Sequence, residues 1–338
     1  MSKTKYRDTD FLYATGRVRA LESKLLTKND ILKMIDARDA EAAYRVPEEK
    51  DLGYGFPAEE YEKALNAELH ECYDLVDNIV GNDNDFMKVF RYKYDGHNFK
   101  TLIKEQMTDR PAPEDMFSDL GNASVEDLRA MLAAEKIDSD KVNETVGEAA
   151  IEAKKVLAET GDAQRVDIII DKAVLVAMAN KADRNGYTIL VDIVKSMIDI
   201  ANIRMIVRAS RMNKDLGFVR HILSGAGYIP RDTFEKAFSD GMDAITELIS
   251  KTIYGKHFEP ALEQLRNGEP LTQFEKLCDD YNKKKLVDVK LVAFGIEPVV
   301  SYVFAKEAEV MAIRIIMASK YANVPAEDIY KRVREVIA

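Results

Sequence analysis

The chain is poor in the residues that make turns. It has 16 Gly and 9 Pro in 338 residues. An all-β protein needs many more such punctuation points. Cysteine is scarce too: Cys72 and Cys278 stand far apart, form no CxxC pair and give no disulfide framework. They read as reduced thiols of a cytosolic protein. The four histidines, His70, His97, His221 and His257, make neither HExxH nor HxH, so a zinc site lacks ligands at the required spacing. No apolar run reaches the roughly 18 uninterrupted residues of a membrane span. The nearest candidate, 291–305, is broken by Glu297 and Pro298. The opening "MSKTKYRDTDFLYA" lacks a signal-peptide apolar region. A basic excess is missing as well. With 49 Lys+Arg against 59 Asp+Glu, the net charge is −10, which argues against a nucleic-acid partner. The densest basic run, Lys283-Lys284-Lys285, is flanked by Asp279, Asp280 and Asp288 and reads as a mixed solvated face.

What is present points to helices. Hydrophobic residues make up 46% and charged residues 32%, a soluble globular composition. Ala, Leu, Ile, Lys, Glu and Met dominate, and these favour helix. One helical pattern recurs three times. "YDGHNFKTLI" at 94–103, "IDIANIRMIV" at 198–207 and "AEVMAIRIIM" at 308–317 align on Lys100, Arg204 and Arg314. Five positions earlier stand Asp95, Asp199 and Glu309. Around the basic residue, apolar side chains recur at −14, −11, −1, +2 and +3, a stripe with helical spacing. A five-residue step turns a helix by about 140° net, so acid and base do not face each other as an i,i+4 pair would. They are expected to fix helix packing or to line a socket.

The upstream part of the unit recurs more faintly. "LTKNDILKMIDARDAEAA" (26–43), "NASVEDLRAMLAAEK" (122–136) and "IPRDTFEKAFSDGMDAIT" (229–246) each open on a cap-like polar cluster, with Ser124 three before Asp127 as a capping-box echo. Boundaries fall at "DRPAPED" (109–115) and "SGAGYIPRD" (224–232). The expected plan is three helical domains, 1–112, 113–226 and 227–338. A unit of about 105 residues is a small domain rather than a solenoid turn. Three such units predict a pseudo-threefold object.

Motifs for chemistry are weak. There is no P-loop, and "GAGY" (225–228) reads as a helix terminator. "KADRNGYTILVD" (181–192) resembles a calcium loop but has Lys181 where a carboxylate is needed. "NDND" (82–85) reads as an N-terminal helix cap. "DDYNK" (279–283) invites comparison with helical isoprenoid enzymes, but Lys283 takes the place of the last aspartate. No Ser/His/Asp set or activated cysteine is indicated.

Two end segments carry a resemblance. "FLYATGRVRALESKLL" (11–26), with Tyr13, Arg17 and Arg19, resembles the N-terminal signature of the C subunits of bacterial and archaeal V-type (A-type) ATP synthases, a family similar to the d subunits of vacuolar ATPases. "FGIEPVVSYVFAKEAEVMAIRIIMASKYANVPAEDI" (294–329) resembles that family's characteristic segment, including the spacing of Glu309, Arg314 and Pro325. The resemblance implies an all-α funnel of three similar domains. It implies a non-catalytic central-stalk component that couples a coiled-coil shaft and its small companion to the membrane proteolipid ring. The place implied is the cytoplasmic face of the membrane, peripherally bound. No cofactor, metal or small molecule is implied. Asp95, Lys100, Asp199, Arg204, Glu309 and Arg314 become candidates for packing or socket lining. The competing readings are a metal-dependent isoprenoid-type enzyme using Asp279 and Asp280, and a generic helical scaffold.

Overall fold

A computed structural model describes residues 7–52, 55–81, 86–107, 110–290 and 292–337. The segment 82–85, with its expected helix cap, lies outside the described residues. Every regular element among the described residues is helical.

In chain order, α1 (Leu12–Glu22) precedes α2 (Lys28–Asp36), α3 (Ala40–Glu48), α4 (Tyr61–Val80) and α5 (Phe86–Glu105). The same succession of two modest helices and two long ones returns as α6 (Val125–Ala134), α7 (Glu144–Thr160), α8 (Ala163–Asn185) and α9 (Thr188–Arg211). After the short α10 (Leu216–Ile222) it returns as α11 (Arg231–Asp240), α12 (Met242–Lys251), an extra α13 (Gly255–Arg266), α14 (Thr272–Lys290) and α15 (Glu297–Tyr321). The last helix is α16 (Ala326–Ile337). The three charged strings therefore sit in α5, α9 and α15.

Local chemistry explains the helix starts. Thr27 opens α2 with a full capping box: its hydroxyl accepts the Asp30 N–H at 3.3 Å, and the Asp30 carboxylate accepts the Thr27 N–H at 2.9 Å. Ser124 caps α6 with its hydroxyl, which accepts the Asp127 N–H at 3.1 Å and donates to the Asp127 carboxylate at 2.9 Å. The third copy differs. Its α11 begins after Pro230, with no side-chain cap. Proline suits that place because its backbone has no N–H to satisfy.

The chain divides into two compact units. One spans Asp85–Cys278, and the other combines Lys5–Asn84 with Asp279–Ala338. In the first unit, α5 packs on α6, α7 and α8, while α9 packs on α8, α10, α11 and α12. In the second, α15 packs on α1, α2, α3, α4 and α16. Each charged helix thus touches helices of the following copy, α9 alongside α8 and α10 of its own, and the last lies against those of the first. Packing crosses the sequence boundaries proposed near 112 and 226.

The apolar stripe explains why. Phe86, Val89, Phe99, Leu102 and Ile103 of α5 are all buried, as are Leu190, Ile193, Ile203, Ile206 and Val207 of α9. So are Val300, Val303, Ile313, Ile316 and Met317 of α15. Burying each such side chain contributes about 1.5–3 kcal/mol. These stripes form the buried seam between each charged helix and its neighbours.

Candidate functional site

The most distinctive polar chemistry of the fold lies where each charged helix meets the following copy. Three carboxylates hold three loops there. Asp95 is fully buried on α5. Its Oδ1 accepts the backbone N–H of Asn122 at 2.7 Å and of Ala123 at 3.3 Å, and its Oδ2 accepts the Asn122 side-chain amide at 2.7 Å. Asp199 is fully buried on α9. It accepts the N–H groups of Tyr228 at 3.0 Å and Ile229 at 3.2 Å, and the Tyr254 hydroxyl at 2.7 Å. Glu309 on α15 accepts the N–H of Leu26 at 2.6 Å. Ala123, Ile229 and Leu26 each stand immediately before the N-cap residue of the next short helix. The three acids therefore hold the same backbone position of their respective loops.

Two features reinforce the first two joints. Asn98, one turn along from Asp95, donates to the Ser118 carbonyl at 2.7 Å and accepts the Ser118 N–H at 2.8 Å. Asn202 makes the same pair of bonds with Ser224, at 2.8 and 3.0 Å. Close approach then needs glycine. A Cβ on Gly121 would stand 2.6 Å from Asp95 Oδ1, and one on Gly227 would stand 2.0 Å from Asp199 Oδ1. "GAGY" is therefore more than a terminator: its glycine lets the next backbone N–H groups reach a buried carboxylate.

The third joint is built differently. Ala312 occupies the position of Asn98 and Asn202, and a lysine supplies the extra polar contact. Lys306 reaches Glu309 at 2.9 Å and Glu68 of α4 at 2.8 Å, all three largely shielded from solvent. Burial opposes the Lys306 charge, but Glu309 and Glu68 outweigh it and hold its pKa above the ordinary value. Nearby, burial pushes the Cys72 thiol up to about 12, so it is an inert core group. Cys278 is buried as well.

The carboxylates at the first two joints feel their burial. That burial pushes Asp95 up to about 6, against the pull of Asn122, Ala123 and the Arg91 charge. It raises Asp199 too, against the bonds from Tyr254, Ile229 and Tyr228.

The basic residues meet acids on the next long helix. Lys100 Nζ lies 2.6 Å from Asp171 of α8. Arg204 Nε lies 3.2 Å from Glu275 of α14, which also receives Arg208 at 2.5 Å. Arg314 Nε lies 2.9 Å from Glu62 of α4. Within each helix, the acid holds a loop while the base holds a helix. This division follows from their 140° separation. Partly exposed pairs of this kind contribute about 0–1 kcal/mol each, so they serve alignment more than stability.

The remaining candidates are placed as follows. Tyr13 and Arg17 are exposed on α1, and Arg19 pairs with Glu22 at 2.9 Å. Lys181–Asn185 belong to the last turn of α8, and Asp192 accepts the Tyr228 hydroxyl at 2.6 Å. Asp279 and Asp280 lie inside α14. Among the described residues, no group of three or more His, Cys, Asp or Glu is placed to hold a metal ion. No described helix is long and apolar enough to cross a membrane. The sequence reading missed Asn98, Asn202, Gly121, Gly227 and Tyr254. The signal for four of them is an Asp-x-x-Asn string in the first two copies, followed by Ser-x-x-Gly in the next loop.

Comparison with known proteins covers nearly the whole chain. The family model described as ATP synthase (C/AC39) subunit matches residues 14–332. The chain is 22% identical to the C subunit of the V-type sodium ATPase of Enterococcus hirae, covering 94% of this chain and 96% of that protein. It is 26% identical to the C subunit of the A-type ATP synthase of Halorubrum lacusprofundi, over 94% and 95% of the two chains. It is 28% identical to the corresponding protein of Haloferax volcanii, over the same shares.

Proposed function

Because the chain belongs to the ATP synthase (C/AC39) subunit family, we propose that it is the central-stalk component that couples the rotating shaft to the membrane proteolipid ring. In this reading it sits on the cytoplasmic face as a peripheral, non-catalytic piece, and ion transport is linked to ATP synthesis or hydrolysis elsewhere in the complex. Its partners are the coiled-coil shaft with its small companion, and the ring.

One observation supports the role above the others. The buried carboxylates at the copy-to-copy joints hold backbone N–H groups of the next loop. A coupling piece must transmit torque without shearing between its parts. Directional bonds from a buried acid to fixed N–H groups resist sliding better than apolar contact alone, which is non-directional. The proposed organisation into 1–112, 113–226 and 227–338 fits this role, with each copy fastened to the next. Lys100, Arg204 and Arg314 then act as alignment contacts between copies.

The test is reconstitution. The purified chain is added to a ring-plus-shaft preparation lacking it. The expected result is rebinding, with ATP hydrolysis again coupled to ion movement. Failure to bind overturns the proposal.

A further inference from the structure

Helix α1 buries apolar side chains on one side and exposes others on the opposite side. Its inner side carries buried Ala14, Thr15 and Val18, next to buried Phe11. Its outer stripe carries Leu12, Tyr13, Gly16, Arg17 and Ala20, all exposed, with no carboxylate among them. Leu12 is 50% exposed and Tyr13 68%. A Cβ on Gly16 would meet nothing within 4 Å, so the backbone itself is open to close approach. A strap lies beside this helix, held by two bonds. The Thr15 hydroxyl donates to the Gly295 carbonyl at 3.1 Å, and Arg19 donates to the Val292 carbonyl at 2.7 Å. The strap exposes Val292 and, at 59%, Phe294.

Single exposed apolar side chains need no explanation, but four large ones on two adjoining, mutually bonded segments form a patch of the kind that marks interaction sites. The charge is unusual too. In a chain of net charge −10, this stripe carries one cation and no anion.

We propose that the outer stripe of α1, with the strap at 292–294, is a docking surface for a protein partner that presents an apolar loop or helix flanked by carboxylates. This rests on the function proposed above, in which that partner is the proteolipid ring. Charge and position together fix the occupant. Arg17, the one charge on the stripe, selects a partner with a carboxylate opposite it, whereas a second copy docked by the same face would set Arg17 against its own image. The stripe is also unrepeated. Among the described residues, the turn Glu114–Met116 stands before α6 and the short α10 before α11, and neither matches α1. A surface that receives a shaft through three like copies would draw on repeated residues, so α1 meets something else. A bilayer surface is a poorer match, because stable membrane anchoring takes two independent signals, such as an acyl chain plus a polybasic patch.

The test uses the full-length chain as wild type, as a Tyr13→Ser/Arg17→Glu variant, and as a Phe294→Ser variant. Each is mixed with ring-containing membranes depleted of this chain, with isolated shaft, and with protein-free phosphatidylcholine–phosphatidylglycerol vesicles. The substituted residues are exposed, so thermal unfolding should match wild type. Both variants should lose about tenfold or more in ring binding and keep shaft binding, and wild type should ignore the vesicles. Wild-type ring affinity in both variants would overturn the docking surface alone. So would loss of shaft binding with ring binding intact, or wild-type binding to vesicles that the variants lose. Wild type binding neither ring nor shaft would overturn the functional reading and this surface together.

Discussion

Replacing Asp95 by Asn separates the charge of the first joint from its shape. Asp95 is fully buried, and its pKa stands at about 6 against an ordinary 3.8. That difference corresponds to about 3 kcal/mol, at about 1.4 kcal/mol per pH unit. The sign follows from linkage. A carboxyl whose folded pKa lies above its unfolded value binds its proton more tightly when folded. The associated stability is fully present below about 3.8 and is lost as pH rises through about 6. At neutral pH the ionised Asp95 is therefore a burdened group, kept in place by the N–H groups of Asn122 and Ala123 and by the Asn122 amide. Asparagine carries no charge to bury, and its carbonyl oxygen can accept the same two backbone N–H groups.

The measurable quantity is the stability of wild type minus that of Asp95→Asn, followed by urea unfolding between pH 4 and 7.5. The difference should move in favour of wild type by up to about 3 kcal/mol as the solution is acidified, with most of the change between pH 4 and 6. Because two compact units need not unfold together, amide exchange at Asn122 and Ala123 supplies the local readout. A carboxyl carbon titration of Asp95 should show a midpoint near 6. A pH-independent difference, or one moving in favour of Asn on acidification, would show that burial does not raise the Asp95 pKa. Asp30 supplies a contrast. The Thr27 hydroxyl and backbone N–H, with Lys50, hold its pKa well below the carboxylate range, so its contribution is present above about 3.8 and lost as pH falls lower.

Asp199→Ala leaves the N–H groups of Tyr228 and Ile229 and the hydroxyl of Tyr254 without their acceptor. At about 1–3 kcal/mol per stranded donor, less the relief of an unburied charge, a loss of about 3 kcal/mol is expected in denaturant titration. A loss under about 1 kcal/mol would show that the joint is not a fastening. Asn98→Ala and Asn202→Ala each remove two bonds to a serine backbone and should destabilise by about 2 kcal/mol. The reverse change, Ala312→Asn, forces an amide into a fully buried alanine site and should also destabilise, by about 1–3 kcal/mol, on thermal unfolding. Lys306→Met strands Glu68 and Glu309 beside each other and should cost about 3–5 kcal/mol. Adding Glu309→Gln to it should recover part of that loss, and a second mutation that simply added its own cost would refute the coupling.

The helices and the seam were legible because both rest on period. The spacing of apolar residues around Lys100, Arg204 and Arg314 placed fifteen side chains, and every one of them is buried. The 140° separation of acid and base was also legible, and the two do have separate partners. The identity of those partners was not. Periodicity says which face of a helix is buried, but not which copy covers it, and a repeat in sequence gives no sign that packing is displaced by one helix. The loop side of the joints was hidden for a related reason. Gly227 and Ser224 carry no period, and a glycine that ends a helix looks in sequence like a glycine that admits a carboxylate. Divergence of the third joint compounds this. There the two bonds of an asparagine give way to Ala312 and to the Lys306 ion group, and aspartate becomes the longer Glu309, which reaches one N–H instead of two. The first two joints lie within a continuous stretch of chain, while the third joins helices from opposite ends of it. A glutamate reaches its N–H from one methylene further away than an aspartate does, and here it does so beside a buried counter-ion, where the first two joints press an aspartate against a glycine.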